Sequence, residues 1–493
     1  MKNNDSQNGR SVSYSRQGRE FPRRLTWVLA LSATILGTAG GGSLAAAQTD
    51  HSRAYSWAYE VGLKAYTYGL PLLEFNKTFL TMTSINVPNT GTSYGPVNVV
   101  NNQTTLNGPG STVVATGANA LSSIAWLDLT EEPQVLHVPS VTNHFFVLAL
   151  LDPYTENLVN LGSAHDTCPG DYVICAPRQR HMRIPRGTYR IDVDYTRIWI
   201  IGSTQLKGTN DLANVNKIQQ GYTLTPLSRY GTNYQPPYPA HPVTTPTIYA
   251  VTNGLQFFDV LGQLLKNFPP PPEDYEALCE FATVGIGPGL MPSHNRILSP
   301  DTLRGLQDAV SNGPTQIGNE AMSLFLASAG IHDGYFLGGF GRYGTNYNLR
   351  AVVSQVGLGA FTPEQAIYAM AQTDYDLQPL NGTTNYVLHM PLPPPVNEGW
   401  TLTVYGLNGE MVTNSINRYQ LSNSSTLVSN LDGSVDIYLQ AAPPDTSLEN
   451  NWLPTPDGAG FEVMWRLLAP EPVEIESILD GSGWQPPAIY PFQ

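Results

Sequence analysis

Charge is what this sequence has least of. Asp, Glu, Lys and Arg supply 13% of its 493 residues, about half the usual share. Acids outnumber bases 39 to 25, for a net charge of −14. Such a surface offers no basic stripe to a phosphate backbone, which excludes nucleic acid as a partner. Cysteine is scarcer still, at Cys168, Cys175 and Cys279, and an odd count leaves at least one thiol over. Cys168 and Cys175 are close in sequence, but 171–175 reads as a strand. Its extended steps hold the ends roughly 16 Å apart, against about 5.5 Å between bridged Cα atoms. That pair is expected to stay open. Tight ligand spacing is missing as well. The nine histidines are scattered, and the calcium-like start at Asp374, Asp376 and Gln378 lacks its closing Glu. No metal is expected, and no stretch after the first fifty residues can span a bilayer.

Those fifty residues are set apart by their pattern. A polar start carries Lys2, Arg10, Arg16, Arg19, Arg23 and Arg24, an apolar run begins at Leu25, and Ala45-Ala46-Ala47 closes it. Basic, then apolar, then small residues is the layout of an export signal, read here as 1–47. Paired Arg23-Arg24 hints at the twin-arginine route. The expected location is outside the cytoplasm: periplasm, envelope or secreted. Beyond residue 50 the chain carries a net charge of −17.

Glycine (45), proline (40) and tyrosine (26) are abundant, a mixture that suits turn-rich β structure with an amide and hydroxyl surface. Residues 52–68 read as a helix stopped by Gly69 and Pro71. From 134 to 205 strand follows strand: QVLHV, HFFVLALL, DYVICA and YRIDVDYTRIWIIG. A Pro, Thr and Tyr-rich connection at 222–248 gives way to helical patterns at 255–268 and 273–282. A third helix is capped by Ser299-Pro300, with Leu298 and Leu303 as a hydrophobic staple. Thr362-Pro363-Glu364-Gln365 looks like the capping box of a fourth. Beyond it GWTLTV, VDIYLQ and EVMWRLL are strands, with hairpin turns at Asn408-Gly409 and Asp432-Gly433. The reading is mainly β with a helical insert, in two β-sandwich or jelly-roll domains. Its parts are a helix plus sandwich at 52–230, a Pro-rich connection and helical insert at 231–340, and a second sandwich at 341–493.

Two short motifs carry no chemistry in this setting. Gly91-Thr92-Ser93-Tyr94-Gly95 spells a nucleophile elbow, but Pro96 follows where a helix should start. Gly339, Gly341 and Gly344 spell G-x-G-x-x-G without the strand and crossover helix that a dinucleotide site needs. No cofactor is called for.

Longer patterns say more. AYTYGLPLLE (65–74), GPVN (95–98), AWLDL (125–129), LLDPYTENLVNLGS (150–163), GDYVI (170–174) and YTLTPL (222–227) together resemble the exported domain of unknown function numbered 1254. RYGTNYNLRA (342–351), GLGAFTPEQAIY (357–368), PLNGTTNYVLHMP (379–391), NSINRY (414–419), LDGSVDIYLQ (431–440) and NWLPTP (451–456) resemble its usual companion, numbered 1214. The resemblance implies two sandwich-type domains with a helical part and no settled chemistry. Against its typical Asn-Asp-Thr-Leu-Tyr-Ser before the Trp-Leu-Asp-Leu strand, this chain has Asn119, Ala120 and Ser122 for the Asp, Thr and Tyr. A His and an Arg after GPVN become Asn102 and Thr104, and an Arg after Gly202 becomes Ser203. Asn is no general base, and Ser without a base is a poor nucleophile. Any proton chemistry of that segment in relatives is expected to be lost or relocated here.

The second half keeps its polar set: Arg350, Asp374, Asn417, Arg418, Tyr419, Asn451 and Trp452. Amide, guanidinium and ring groups on strand-end loops can grip a polar ligand, and the same groups can equally fasten the sandwich. Two functions follow as expectations. The first is binding of a polar small molecule or glycan outside the cytoplasm. The alternative is an extracytoplasmic hydrolase acting on an ester or glycoside, for which Asp374 and Asp376 are the near carboxylate pair worth naming.

Overall fold

The structure, a computed structural model, describes residues 52–92, 94–110, 115–237 and 254–492. The leader 1–47, the elbow residue Ser93 and part of the Pro-rich connection lie outside the described residues. Two β-sandwiches and a helical layer account for the rest.

In the first sandwich one sheet runs β1 (Asn101–Asn102), β2 (Ala120–Asp128), β8 (Arg197–Gln205), β4 (Phe146–Leu151), β5 (Asn157–Gly162). The facing sheet runs β7 (Tyr189–Asp192), β6 (Gly170–Cys175), β3 (Gln134–Val138), β9 (Thr223–Pro226). In the second, one sheet runs β10 (Phe336–Leu337), β11 (Ala366–Ala371), β17 (Phe461–Pro470), β13 (Val396–Gly406), β14 (Gln420–Ser422). Its partner runs β16 (Trp452–Pro454), β15 (Val435–Gln440), β12 (Asn385–Met390), β18 (Ile489–Phe492). Neighbours pair antiparallel except β6 with β7 and β15 with β16. Cys175 ends the extended strand β6, and all three cysteines are free.

Each sandwich closes over its own core. Leu127, Leu136, Leu148, Ile174 and Ile200 fill the first, and Leu388, Leu402, Ile437, Leu453 and Trp465 the second. The β2–β8–β4 sheet is also buried on its outer face. There Trp126 stacks on Trp199, with ring centroids 4.7 Å apart, and both pack against Phe75 of helix α1 (Arg53–Met82) and Leu468 of β17. Burial on both faces explains why FVLALL is apolar at every position rather than alternating.

The remaining helices are α2 (Leu212–Gln219), α3 (Gly254–Asn267), α4 (Tyr275–Ala282), α5 (Pro300–Ala329), α6 (Tyr347–Val356) and α7 (Ile475–Asp480). Helices α1, α3, α5 and α6 share one apolar core around Leu72, Phe258, Leu261, Leu306 and Ala351. Ser299 caps α5 by accepting from Thr302 N.

Three local expectations are corrected. Helix α1 does not stop at Gly69 and Pro71 but continues to Met82. The missing Pro71 N–H loses one bond, yet residues 65–73 are buried on all sides, and that packing carries the helix through. Gly69 is there for contact: a Cβ would lie 2.6 Å from Leu261 Cδ2. The capping box at 362–365 opens a single turn, after which Ala366–Ala371 is the strand β11, paired on both sides by β10 and β17. Ladder pairing there overrides local propensity. At the hairpins only Gly409 and Gly433 take positive φ. Asn408 and Asp432 instead accept from the N–H two residues on.

Candidate functional site

The outer faces of the β2–β8 and β11–β17–β13 sheets meet across the seam, and a cavity of about 410 Å³ lies between them. Strand register builds its walls. On one side Ser122 lies opposite Ser203 and Ala120 opposite Gln205. On the other Arg466 sits between its cross-strand neighbours Tyr368 and Thr401, with Met370 opposite Met464 one step along. Phe336, Phe340, Val353 at the end of α6, and the loop Gly357–Phe361 add to the lining.

Among the described residues Arg466 is the one charged side chain in this lining. It is buried on a strand buried along its whole length. Its guanidinium donates to Thr403 Oγ1 (3.3 Å), Ala115 O (2.5 Å) and Tyr405 Oη (2.8 Å), all neutral acceptors. Tyr405 in turn donates to Thr116 O, and Ala118 N donates to Gln420 Oε1. The segment 115–118 is thereby tied to the second sandwich. Thr401, only 1% exposed, lines the cavity with an Oγ1 that has no partner among the described residues. Burial raises the pKa of Tyr368, with Arg466 and a backbone bond from Phe361 opposing, so its hydroxyl stays neutral.

The stretch before the Trp-Leu-Asp-Leu strand is therefore a cavity wall. Asn119, Ala120, Ser122 and Ser203, where the chain departs from the pattern it resembles, all line it. Asn102 and Thr104 do not: Asn102 Nδ2 donates to Gln219 O and Thr104 O accepts from Asn216.

None of the seven residues singled out in the second half lines the cavity. Five gather between β14 and β16. Arg418 Nη1 donates to Glu449 O and Trp452 O, Asn451 bonds to Val428 N, Val428 O and Asp436 O, and Trp452 Nε1 donates to Gln440 O. Asn417, at φ +51, accepts from Tyr419 Oη. Asp374 turns on its own loop, where Oδ1 accepts from Asp376 N and Gln378 N. Almost every partner here is main chain, the pattern of a fastening. Arg418→Met is expected to lower stability by about 1 kcal/mol, measured by urea denaturation, without altering what the cavity binds.

Arg350 belongs to a different cluster, where three of the quoted patterns meet. Its guanidinium lies 5.2–5.6 Å from the ring centres of Tyr68, Tyr154 and Tyr347 and 3.8 Å from Glu156. Tyr68 and Tyr347 each donate to a different oxygen of the buried Asp274, both at 2.7 Å. Glu156 accepts from Tyr343 N and Gly344 N, and Asn157 N donates to Gly341 O. Gly341 has φ +79, and a Cβ there would meet Asn157 Nδ2 at 2.6 Å. Two glycines of the apparent dinucleotide motif, Gly341 and Gly344, thus serve this joint. Nearby, burial raises the pKa of Asp152 to about 7.

Histidine–carboxylate contacts occur away from the seam. His144 spends both ring nitrogens, on Asp211 Oδ2 (2.8 Å) and Thr142 O (3.1 Å). Ser293 lies 3.0 Å from the exposed His294, but its hydroxyl donates to Asp259. Serine stands in the middle there, whereas a nucleophilic triad needs histidine between serine and acid.

The fold and its seam define a double β-sandwich protein with a ligand-sized cavity between the sandwiches. Residues 97–226 match the family model "Protein of unknown function (DUF1254)" and residues 365–472 match "Protein of unknown function (DUF1214)". The chain thus carries a match to the first of these models followed by a match to the second. No curated protein matches it. Among solved structures it is similar to the VPA0106 protein from Vibrio parahaemolyticus, at 19% identity and a TM-score of 0.65, covering 88% of this chain and 100% of that one. An uncharacterized protein from Burkholderia cenocepacia matches at 10% identity and a TM-score of 0.41, over 89% and 94% of the two chains. The first of these supports the fold alone.

Signals of the cavity were present in the sequence. An arginine inside the apolar strand EVMWRLL is costly unless it is used. Thr401 and Thr403 form the polar alternate face of GWTLTV, a strand whose apolar face was plain.

Proposed function

We propose that this protein binds a small molecule in the seam cavity, outside the cytoplasm. The observation that carries the reading is the cavity itself. Its volume falls within the range of roughly 300–1,000 Å³ typical of ligand sites, and a few polar groups converge within an otherwise apolar lining. An orphan hydroxyl such as Thr401 costs stability while unfilled, which favours a site kept for an occupant. Phe, Met, Ile, Leu and Val walls beside Asn119, Ser122, Ser203 and Gln205 suit a molecule with an apolar body and a few polar groups better than a glycan, which is polar throughout. The basic-then-apolar leader supports the exported setting. The hydrolase alternative finds no comparable support among the described residues.

Gly117 and Gly357 both line the cavity and neither has a left-handed φ. A Cβ at either position meets nothing closer than 3.7 Å, so large side chains can be introduced there. Small alcohols, acids and sugars, screened by thermal shift and native mass spectrometry, are expected to give binders for the natural sequence. Those binders should be lost in Gly117→Trp and Gly357→Phe, with unfolding temperatures kept within a few degrees. Binding that survives both plugs would place the site elsewhere and end the proposal.

A further inference from the structure

We propose that the cavity's ligand is an amphiphilic carboxylate, its acid group held by Arg466 and Thr401 and its apolar body lying along Met370, Met464, Phe336 and Phe340. This inference rests on the reading of the seam as a small-molecule site and adds the chemical class of the occupant.

Charge comes first. The chain carries net −14, yet among the described residues the lining contains no Asp, Glu, Lys or His and one arginine. The three acceptors of Arg466 are uncharged. They engage three of its five N–H donors and leave two for a ligand. On the same face of β17, four residues away, Glu462 is occupied by Gln372 Nε2 (2.7 Å) and does not line the cavity. Burial raises the Glu462 pKa, against Gln372 and Arg466, so this acid is a weak counter-charge. Tyr368, on the other flank, is held neutral by its burial. A buried guanidinium without a paired anion is expensive, and a charge-assisted hydrogen bond to a ligand carboxylate offsets that cost.

Position comes second. Thr401 lies directly opposite Arg466 in the β13–β17 register. Its hydroxyl is a donor buried without a partner among the described residues, beside the cation, as an incoming carboxylate oxygen requires. Along the same sheet the next row is Met370 opposite Met464, a flexible, polarisable bed for a hydrocarbon chain. The polar end and the apolar body of the ligand are thus set in adjacent rows of one sheet face.

The test uses the straight-chain acids and alcohols from six to twelve carbons, titrated calorimetrically at pH 7.5 into the full-length chain. The expected result is that the best acid binds roughly 10–100-fold tighter than the alcohol of equal length. Thr401→Val is expected to weaken the acid about 10-fold while leaving the alcohol unchanged. Its unliganded form should be no less stable than the natural protein, because the deleted hydroxyl bonds to nothing. Arg466→Met should bring acid and alcohol to equal affinity. Should that variant fail to fold, the acid-to-alcohol ratio and Thr401→Val decide the matter. Alcohol equal to or better than acid in the natural sequence overturns the carboxylate inference and leaves the cavity reading standing. If every acid and alcohol that binds also binds the plugged Gly117→Trp protein, the cavity reading itself fails.

Discussion

Replacing Arg350 by methionine is expected to destabilise the protein by about 3–5 kcal/mol, the range for removing one partner of a buried ionic group. The residue is 1% exposed, and its side chain holds three elements together. Tyr68 comes from α1, Tyr154 and Glu156 from the segment between β4 and β5, and Tyr347 from the first turn of α6 itself. Its Nε and Nη2 have no acceptor among the described residues, so much of its attraction is to ring faces, which hold a desolvated guanidinium well. Methionine fills similar volume but cannot offset the carboxylates of Glu156 and Asp274. Urea denaturation measures the loss. In a Glu156→Gln background the same replacement should cost less, since one stranded charge is already gone. A loss below about 1 kcal/mol would show that the rings and acids are satisfied without the cation. Ligand binding in the seam should change little, because Arg350 does not line the cavity.

This cluster also shows what was legible in the sequence. Tyr68, Glu156 and Arg350 lie in three separate patterns, each noticeable alone, but nothing in their spacing says that they meet. The strands were legible because alternation at GWTLTV and unbroken apolarity at FVLALL are direct prints of one-sided and two-sided burial. The full length of α1 was not, since Gly69-Leu70-Pro71 is a strong local stop and only the packing of α3 and α5 overrules it. Local chemistry misled again at Thr362-Pro363-Glu364-Gln365, where sheet pairing wins over a capping box. The seam was least legible of all. Ser122 and Ser203 face Arg466 and Thr401 across two sheets that are hundreds of residues apart in sequence, and periodicity within a strand reports which face is polar, never what that face meets. The seven residues chosen for their hydrogen-bonding capacity fell outside the cavity for the same reason. Capacity to bond is equally what a loop fastening needs, and Asn451 and Arg418 spend theirs on main-chain groups.

Asparagine at position 152 is expected to remove a pH dependence of folding. Asp152 is buried, and that burial is the largest cause raising its pKa from 3.8 to about 7. Glu156 adds to the rise, whereas backbone bonds at Tyr154 and Glu156 and the Arg350 charge oppose it. Between pH 4 and pH 7 the unfolded chain has therefore released this proton while the folded chain still holds it. The folded state binds more protons across that window, so stability falls as pH rises through it and levels off above about pH 7. From pH 5 to pH 8 the contribution is a loss of about 2–3 kcal/mol. Asp152→Asn keeps the oxygen that accepts from Tyr154 N and Glu156 N, so the turn survives while the titration disappears. Urea midpoints at pH 5 and pH 8 in both proteins give the comparison, with the pH-dependent drop shrinking by that amount in the variant. The carboxyls of Asp374 and Glu462 are also raised by burial and titrate in both proteins, so their share cancels in the difference. An identical drop in the two would mean that Asp152 ionises as freely folded as unfolded, with water reaching a carboxyl that the packing encloses.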